Sequence, residues 1–169
     1  MRIATFAHEG QRRVGLVSAD ARSVTPFDLS PAEAQRGALA LVEAQAQGLA
    51  LPPTRGEPIA LSAVRLEAPI PRPRRNLWCV GRNYHEHAKE LQGSVFKNNN
   101  ANPAQWPIVF TKVPECVVGP TDTVTLPGEA ISSQIDYEAE LAVVIGTGGK
   151  NIAKSDAMKH VWATPPSTT

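Results

Sequence analysis

Short apolar runs broken by glycine and proline dominate the chain. Residues 2–6 and 14–17 are β-type runs separated by the turn residues Glu9, Gly10 and Gln11, a pattern that predicts a hairpin. Residues 23–27, Ser-Val-Thr-Pro-Phe, add a third short strand. Ser30, Pro31 and Glu33 then supply an N-cap, a proline at the first helical position and a capping-box acid. Ala34, Ala38, Leu41 and Val42 mark the apolar stripe of a helix running to Gln47, with Gly48 as its stop and Gly37 interrupting it.

The second half reads differently. Residues 76–80 form an apolar strand pattern ended by Gly81, and residues 108–111, 116–118, 123–126 and 136–145 are β-type runs. Gly119-Pro120 and Pro127-Gly128 punctuate them, which predicts a rolled or barrel-like β structure. Residues 92–106 have no periodicity and read as a long loop. Between the halves, Pro69, Pro71 and Pro73 exclude helix or central strand and leave a stiff connector over residues 71–75. The pattern therefore predicts an α+β protein, with a small α+β cap over residues 1–70 and a β-roll domain from residue 76.

Charge supports a boundary at the connector. Residues 1–75 hold ten Arg and no Lys against seven acids, and residues 76–169 hold one Arg and six Lys against nine acids. The formal net charge of the 169 residues is only +1, too balanced for nucleic acid or an anionic membrane to be the main partner. Arg72, Arg74 and Arg75 have no aromatics among them and read as solvated. No run approaches the roughly 18 apolar residues of a membrane span, and the first ten residues lack the basic-then-apolar order of an export signal, so the expected location is the cytoplasm. Cys79 and Cys116 lack Cys-x-x-Cys spacing and read as reduced thiols, Cys79 as an inert buried one.

The residues able to do chemistry lie after the connector. In a strand, Asp136, Glu138 and Glu140 would share one face, successive residues about 7 Å apart. Carboxylates gathered in this way suit a hard divalent cation such as Mg²⁺, Mn²⁺ or Ca²⁺. A solvated acidic face fits the same spacing, but the continuation Leu141-Ala-Val-Val-Ile145 reads as buried on both faces and draws the acids inward. Asn83 and Glu86 form a second capping-box pattern, predicting a helix from Tyr84 that places His87 and Glu90 at i and i+3. A carboxylate there can fix the tautomer of the imidazole and raise its basicity; an exposed ion pair fits the bare pattern as well. Lys112, at a predicted strand end before Pro114, can meet an anionic substrate or remain a surface lysine. Gly146-Thr-Gly-Gly-Lys150 lacks Walker A spacing and predicts a tight turn.

Read in order, Asn76-Leu-Trp-Cys-Val-Gly-Arg-Asn-Tyr84, His87 with Glu90, Pro107-Ile-Val-Phe-Thr-Lys112-Val-Pro, Val117-Val-Gly-Pro120 and Asp136-Tyr-Glu-Ala-Glu-Leu141 resemble the fumarylacetoacetate hydrolase family. The resemblance implies a β-roll catalytic domain, a Mg²⁺, Mn²⁺ or Ca²⁺ cofactor and a homodimer of the full-length protein. It implies Glu138 and Glu140 as metal ligands, His87 and Glu90 as the dyad that activates water, and Lys112 and Arg82 as substrate-binding groups. The implied reaction is hydrolysis of a carbon–carbon bond in a 1,3-dicarbonyl acid of acylpyruvate or fumarylacetoacetate type. The alternatives are decarboxylation or isomerisation of a 2-oxoacid of aromatic catabolism, or a catalytically silent fragment. Family members continue after residues matching Trp162 with Gly-Tyr-Thr and an Asn-Asp pair whose Asp is a third metal ligand, whereas this chain reads Ala163-Thr-Pro-Pro-Ser-Thr-Thr169. The expectation is thus a partial catalytic domain over residues 76–162, a tail unlike the family over residues 163–169, and a truncated coding sequence.

Overall fold

A computed structural model describes residues 1–81, 83–84, 107–163 and 166–168. Two compact units are distinguished, one comprising residues Met1–Pro71 and Val118–Thr169 and the other Arg72–Val117.

The first unit is built on a five-stranded antiparallel sheet in which the first two strands of the chain are central. β1 (Arg2–His8) and β2 (Gln11–Val17) pair along their whole length, closing at His8 and Gln11. Glu9 and Gly10 between them have φ of 50° and 74°. Positive φ at both loop positions is the turn whose twist matches the flanking strands, so the expected hairpin forms with Gly10 at the position that needs it most. β3 (Ser23–Pro26) follows, then β4 (Ile59–Ala60) and β5 (Arg65–Leu66) add short edges.

The single helix predicted from Pro31 to Gln47 is two helices. α1 (Pro31–Ala34) has the expected capping box: the Glu33 amide donates to Ser30 Oγ, and the Ser30 amide donates to the Glu33 carboxylate at 2.8 Å. The break falls at Gly37, whose φ is +63°. The main chain of Pro69 stands where a Gly37 Cβ would be, and its carbonyl accepts from the Ala38 amide and from Thr5 Oγ1, each at 2.8 Å. Gly37 marked the weak point in the sequence, but not the break itself, because the segment packed beside it lies about thirty residues downstream. α2 (Leu39–Ala46) then ends where expected: Gly48 has φ +78°, and the Leu49 amide closes the helix on the Ala44 carbonyl.

The core of this unit consists of Val14, Phe27 and Leu41, with Ile3, Leu16, Leu29, Leu51 and Trp162 packed against it. On the sheet's other face Phe6 and Val24 are fully buried. Thr5, the buried polar residue of the sheet, is satisfied by its bond to Pro69.

Three two-stranded antiparallel ribbons make up the β-rich remainder among the described residues. β6 (Leu77–Gly81) pairs with β7 (Ile108–Lys112) in the second unit. In the first unit β8 (Ala139–Leu141) pairs with β11 (Pro166–Thr168), and β9 (Val144–Ile145) with β10 (Val161–Ala163). Two predicted strands are absent. Over residues 116–118, Cys116 ends a 3-10 turn (Pro114–Cys116) and Val117 and Val118 lie in no strand, and residues 123–126 are exposed without strand pairing. The fold is mixed α/β.

Candidate functional site

Strand β8 begins at Ala139, so the alternation expected over residues 136–145 holds for only part of the acidic segment. Its ladder is as long as its partner β11: Ala139 faces Thr168, Glu140 faces Ser167 and Leu141 faces Pro166. Glu140 lies in the strand and is half-buried, whereas Glu138 precedes it and is exposed. Asp136 is also exposed and turns back on its neighbour, accepting from the Tyr137 amide at 2.8 Å. The three carboxylates therefore do not form the continuous strand face that spacing predicted.

Burial of the following run is likewise one-sided. Leu141, Val143 and Ile145 are 61%, 50% and 55% exposed, while Ala142, Val144 and Gly146 are half-covered. A segment buried on both faces was expected; the observed period of two puts Glu140 on the covered side with Ala142, Val144 and Gly146. Gly146 sits against Trp162: a Cβ on Gly146 would lie 3.1 Å from the Trp162 Cβ.

The glycine-rich segment that follows is not the tight turn expected: residues 146–150 bend without turn hydrogen bonds and open a longer connection to β10. The Gly146 amide donates to the His160 carbonyl at 2.9 Å, and the His160 imidazole donates from Nδ1 to the Thr147 carbonyl at 2.7 Å. Only a 3-10 segment, Lys154–His160, follows it, so no helix N-terminus is available for a phosphate.

Lys112 ends β7 opposite Leu77, as a strand-end cation, and is half-buried. It belongs to the second unit, and Glu138 and Glu140 to the first. Cys79, expected as a buried thiol, is half-buried, and Cys116 is an exposed thiol. Arg82, His87 and Glu90 lie outside the described residues.

The donor chemistry of Glu138 and Glu140, two hard carboxylate oxygens two residues apart, fits a divalent cation of the Mg²⁺ class better than zinc. No group of three His, Cys, Asp or Glu side chains suited to hold a metal occurs among the described residues. Nor is there among them a helix long and apolar enough to cross a membrane.

The sequence reading missed two elements that bear on this region. Residues 166–168, set apart as a tail, form the partner strand of Glu140. Trp162 is the anchor of the β9–β10 ribbon, and no pattern in the sequence marks it, because its partners Gly146 and Gln45 are distant along the chain.

Comparison with known proteins bears on the same region. The model of the fumarylacetoacetate (FAA) hydrolase C-terminal domain matches residues 76–165, which include every candidate residue named above. Oxaloacetate tautomerase YisK of Bacillus subtilis (strain 168) is 47% identical over 103 residues, 61% of this chain and 32% of that protein. The human mitochondrial oxaloacetate tautomerase FAHD2A is 45% identical over 100 residues, 59% of this chain and 28% of that protein. The chain thus aligns with about a third of the length of these relatives. Among solved structures, the fumarylacetoacetate hydrolase of Exiguobacterium antarcticum superposes with a TM-score of 0.70 at 29% identity, covering 99% of this chain and 55% of that one. A 5-carboxymethyl-2-hydroxymuconate delta-isomerase from Mycobacterium smegmatis shares the fold, with a TM-score of 0.68 at 20% identity over 99% of this chain and 54% of that one. With more than half of its residues matched by the family model, the chain belongs to the fumarylacetoacetate hydrolase family.

Proposed function

We propose that the protein is an isomerase of small 2-oxoacids that interconverts keto and enol forms, with oxaloacetate as the first substrate to test. The observation that carries this reading is the 47% identity to an oxaloacetate tautomerase, joined by 45% identity to a second protein of that name. Hydrolysis of a carbon–carbon bond, the first expectation from the family resemblance, becomes the second reading. The fold likeness to a fumarylacetoacetate hydrolase at 29% identity keeps it in view.

The two reactions differ in what they ask of the same residues. Tautomerisation moves one proton from the carbon beside the ketone to the ketone oxygen and consumes no water. His87, its tautomer fixed by Glu90, takes that proton and returns it, a general acid–base role that needs no positioned nucleophile. Lys112 and Arg82 hold the substrate carboxylate, so that the acidic C–H is presented to the base in one orientation. Glu138 and Glu140 are the carboxylates that would hold Mg²⁺, Mn²⁺ or Ca²⁺. When bound, such an ion would lower the energy of the enolate by acting as a Lewis acid on its oxygen. A divalent ion, a 2-oxoacid and a His/Glu pair thus suffice, and assembly as a homodimer is part of the same proposal.

The test is the decay of enol absorbance of oxaloacetate with the 169-residue chain and Mg²⁺, run beside an acylpyruvate whose cleavage is followed by product analysis. Tautomerisation well above the buffer rate, lost in His87→Ala and in excess chelator, is the expected result. A buffer-level rate on oxaloacetate together with cleavage of the acylpyruvate would replace this reading by the hydrolase one.

A further inference from the structure

The β6–β7 ribbon has two unlike faces, and the difference bears on substrate choice. Its register pairs Leu77 with Lys112, Trp78 with Thr111, Cys79 with Phe110, Val80 with Val109 and Gly81 with Ile108. Residues directly opposite one another point to the same side of a sheet, and alternate residues along each strand do so too. Leu77, Cys79, Gly81, Ile108, Phe110 and Lys112 therefore share one face, and Trp78, Val80, Val109 and Thr111 share the other.

The second face is open. Trp78 is 73% exposed, Val80 45% and Val109 49%. Asn76 donates to Thr111 Oγ1 at 3.3 Å, giving that side its own polar end. On the first face Cys79, Gly81, Ile108 and Lys112 are all half-buried. The ring of Phe110 leans toward Gly81, where a Cβ would lie 3.6 Å from the Phe110 Cε1, and remains 48% exposed. Lys112 is the only charged residue of that face, two positions from Phe110 on the same strand.

A surface with one ammonium at its end and an uncharged aromatic beside it can bind an anionic group at one end and a carbon chain along the ring. Resting on the reading of Lys112 as the carboxylate-binding residue, we propose that Phe110 is a specificity-determining residue that packs against the uncharged part of a 2-oxoacid held by Lys112. A 2-oxoacid with an apolar tail is therefore bound alongside oxaloacetate, its carboxylate at Lys112 and its uncharged chain along Phe110. Gly81 adjoins this arrangement, since a Cβ there would be in ordinary contact with the ring.

The experiment is calorimetric titration of the 169-residue chain, with Mg²⁺ present, against oxaloacetate and 2-oxooctanoate. The variants are Phe110→Ala, Phe110→Leu, Lys112→Met and, from the opposite face, Val109→Ala. Phe110→Ala is expected to weaken 2-oxooctanoate roughly tenfold and oxaloacetate about twofold or less, the size of effect that lost apolar contacts have in a binding site. Phe110→Leu should recover part of the loss, Val109→Ala should change neither acid, and Lys112→Met should weaken both. Equal behaviour of Phe110→Ala and Val109→Ala overturns the assignment of Phe110. Unchanged affinities in Lys112→Met with a selective loss in Phe110→Ala would remove the carboxylate role of Lys112 and leave the apolar one. Absence of binding of either acid to the parent chain would overturn both. Phe110 is half-exposed, so these variants retain the ribbon, which circular dichroism verifies.

Discussion

The indole Nε1 of Trp162 donates to the side-chain Oε1 of Gln45 at 2.5 Å, joining positions 117 residues apart. Gln45 lies on α2, and the indole packs against the cluster of Val14, Phe27 and Leu41. This contact fastens the β9–β10 ribbon to the N-terminal helix and sheet. Residues 1–70, which sequence marks off as a cap, therefore share a core with a residue of the family-matched region.

Trp162→Ala should lower the unfolding free energy by about 2 kcal/mol, less than a fully buried Trp costs because the side chain is half-exposed. Trp162→Phe keeps most of the apolar contact and loses the hydrogen bond, so a loss of about 1 kcal/mol is expected, matched by Gln45→Ala. Urea unfolding of the three variants checks the order. Equal stability of Trp162→Ala and the parent chain would show that the ribbon does not depend on this anchor.

Glu67 is the centre of an ion-pair chain. Its carboxylate accepts from Arg12 Nε at 2.5 Å and from Arg65 at 2.6 Å, and its side chain is only 9% exposed. Arg65 continues to Asp122 at 3.1 Å, and Asp122 accepts from the Gly119 amide at 2.8 Å. Glu67→Gln is expected to cost roughly 1–3 kcal/mol, because two guanidinium groups lose a charged acceptor. Asp122→Ala should cost about 1–2 kcal/mol, less from the exposed pair with Arg65 than from the Gly119 amide left without its acceptor. A double-mutant cycle of Glu67→Gln with Arg12→Met measures their coupling; additive effects would mean that the short contact contributes nothing.

The capping box makes stability depend on pH. Hydrogen bonds from Ser30 to the Glu33 carboxylate, side chain first and then backbone, hold its pKa below the usual value. A group whose folded pKa is depressed contributes fully above its unfolded value and loses that contribution as pH falls through the folded one. Glu33→Gln, which keeps an acceptor but cannot ionise, should therefore be less stable than the parent chain at pH 7 and approach it from about pH 4.3 downward. Thermal unfolding between pH 7 and pH 3 follows the difference; a constant gap would exclude a role for the charge. Asp20, held low by Ser18 and the Arg22 amide, shifts in the same direction and is present in both proteins.

Glu138→Gln and Glu140→Gln should each weaken Mn²⁺ binding at least tenfold if these carboxylates hold the ion, since each removes a charged oxygen donor. Calorimetric titration of the 169-residue chain reads this without any enzymatic assay. Unchanged affinity in both variants would place the ion elsewhere.

Local chemistry was legible where it acts within a few residues. The Glu9-Gly10 hairpin, the Ser30–Glu33 capping box, the Gly48 stop and the strand end at Lys112 all depend on neighbours in sequence, and all are found where the residues predict them. The order of family residues identified the family for the same reason: it is a property of the chain. Features set by distant partners were not legible. Pro69, by occupying the space beside Gly37, splits one helix into two. β8 pairs with β11 over Ala139–Leu141, so Glu138 precedes the strand that carries Glu140.

Sequence by itself determined the family, the first hairpin, the capping box and the cation at the end of β7, because each rests on residue type, spacing or short-range hydrogen bonding. The tertiary structure decided which faces are covered. Glu140 lies on the half-covered side of its segment, Phe110 shares a face with Lys112, and Trp162 closes on Gln45, because burial and register depend on what another segment of the chain packs against.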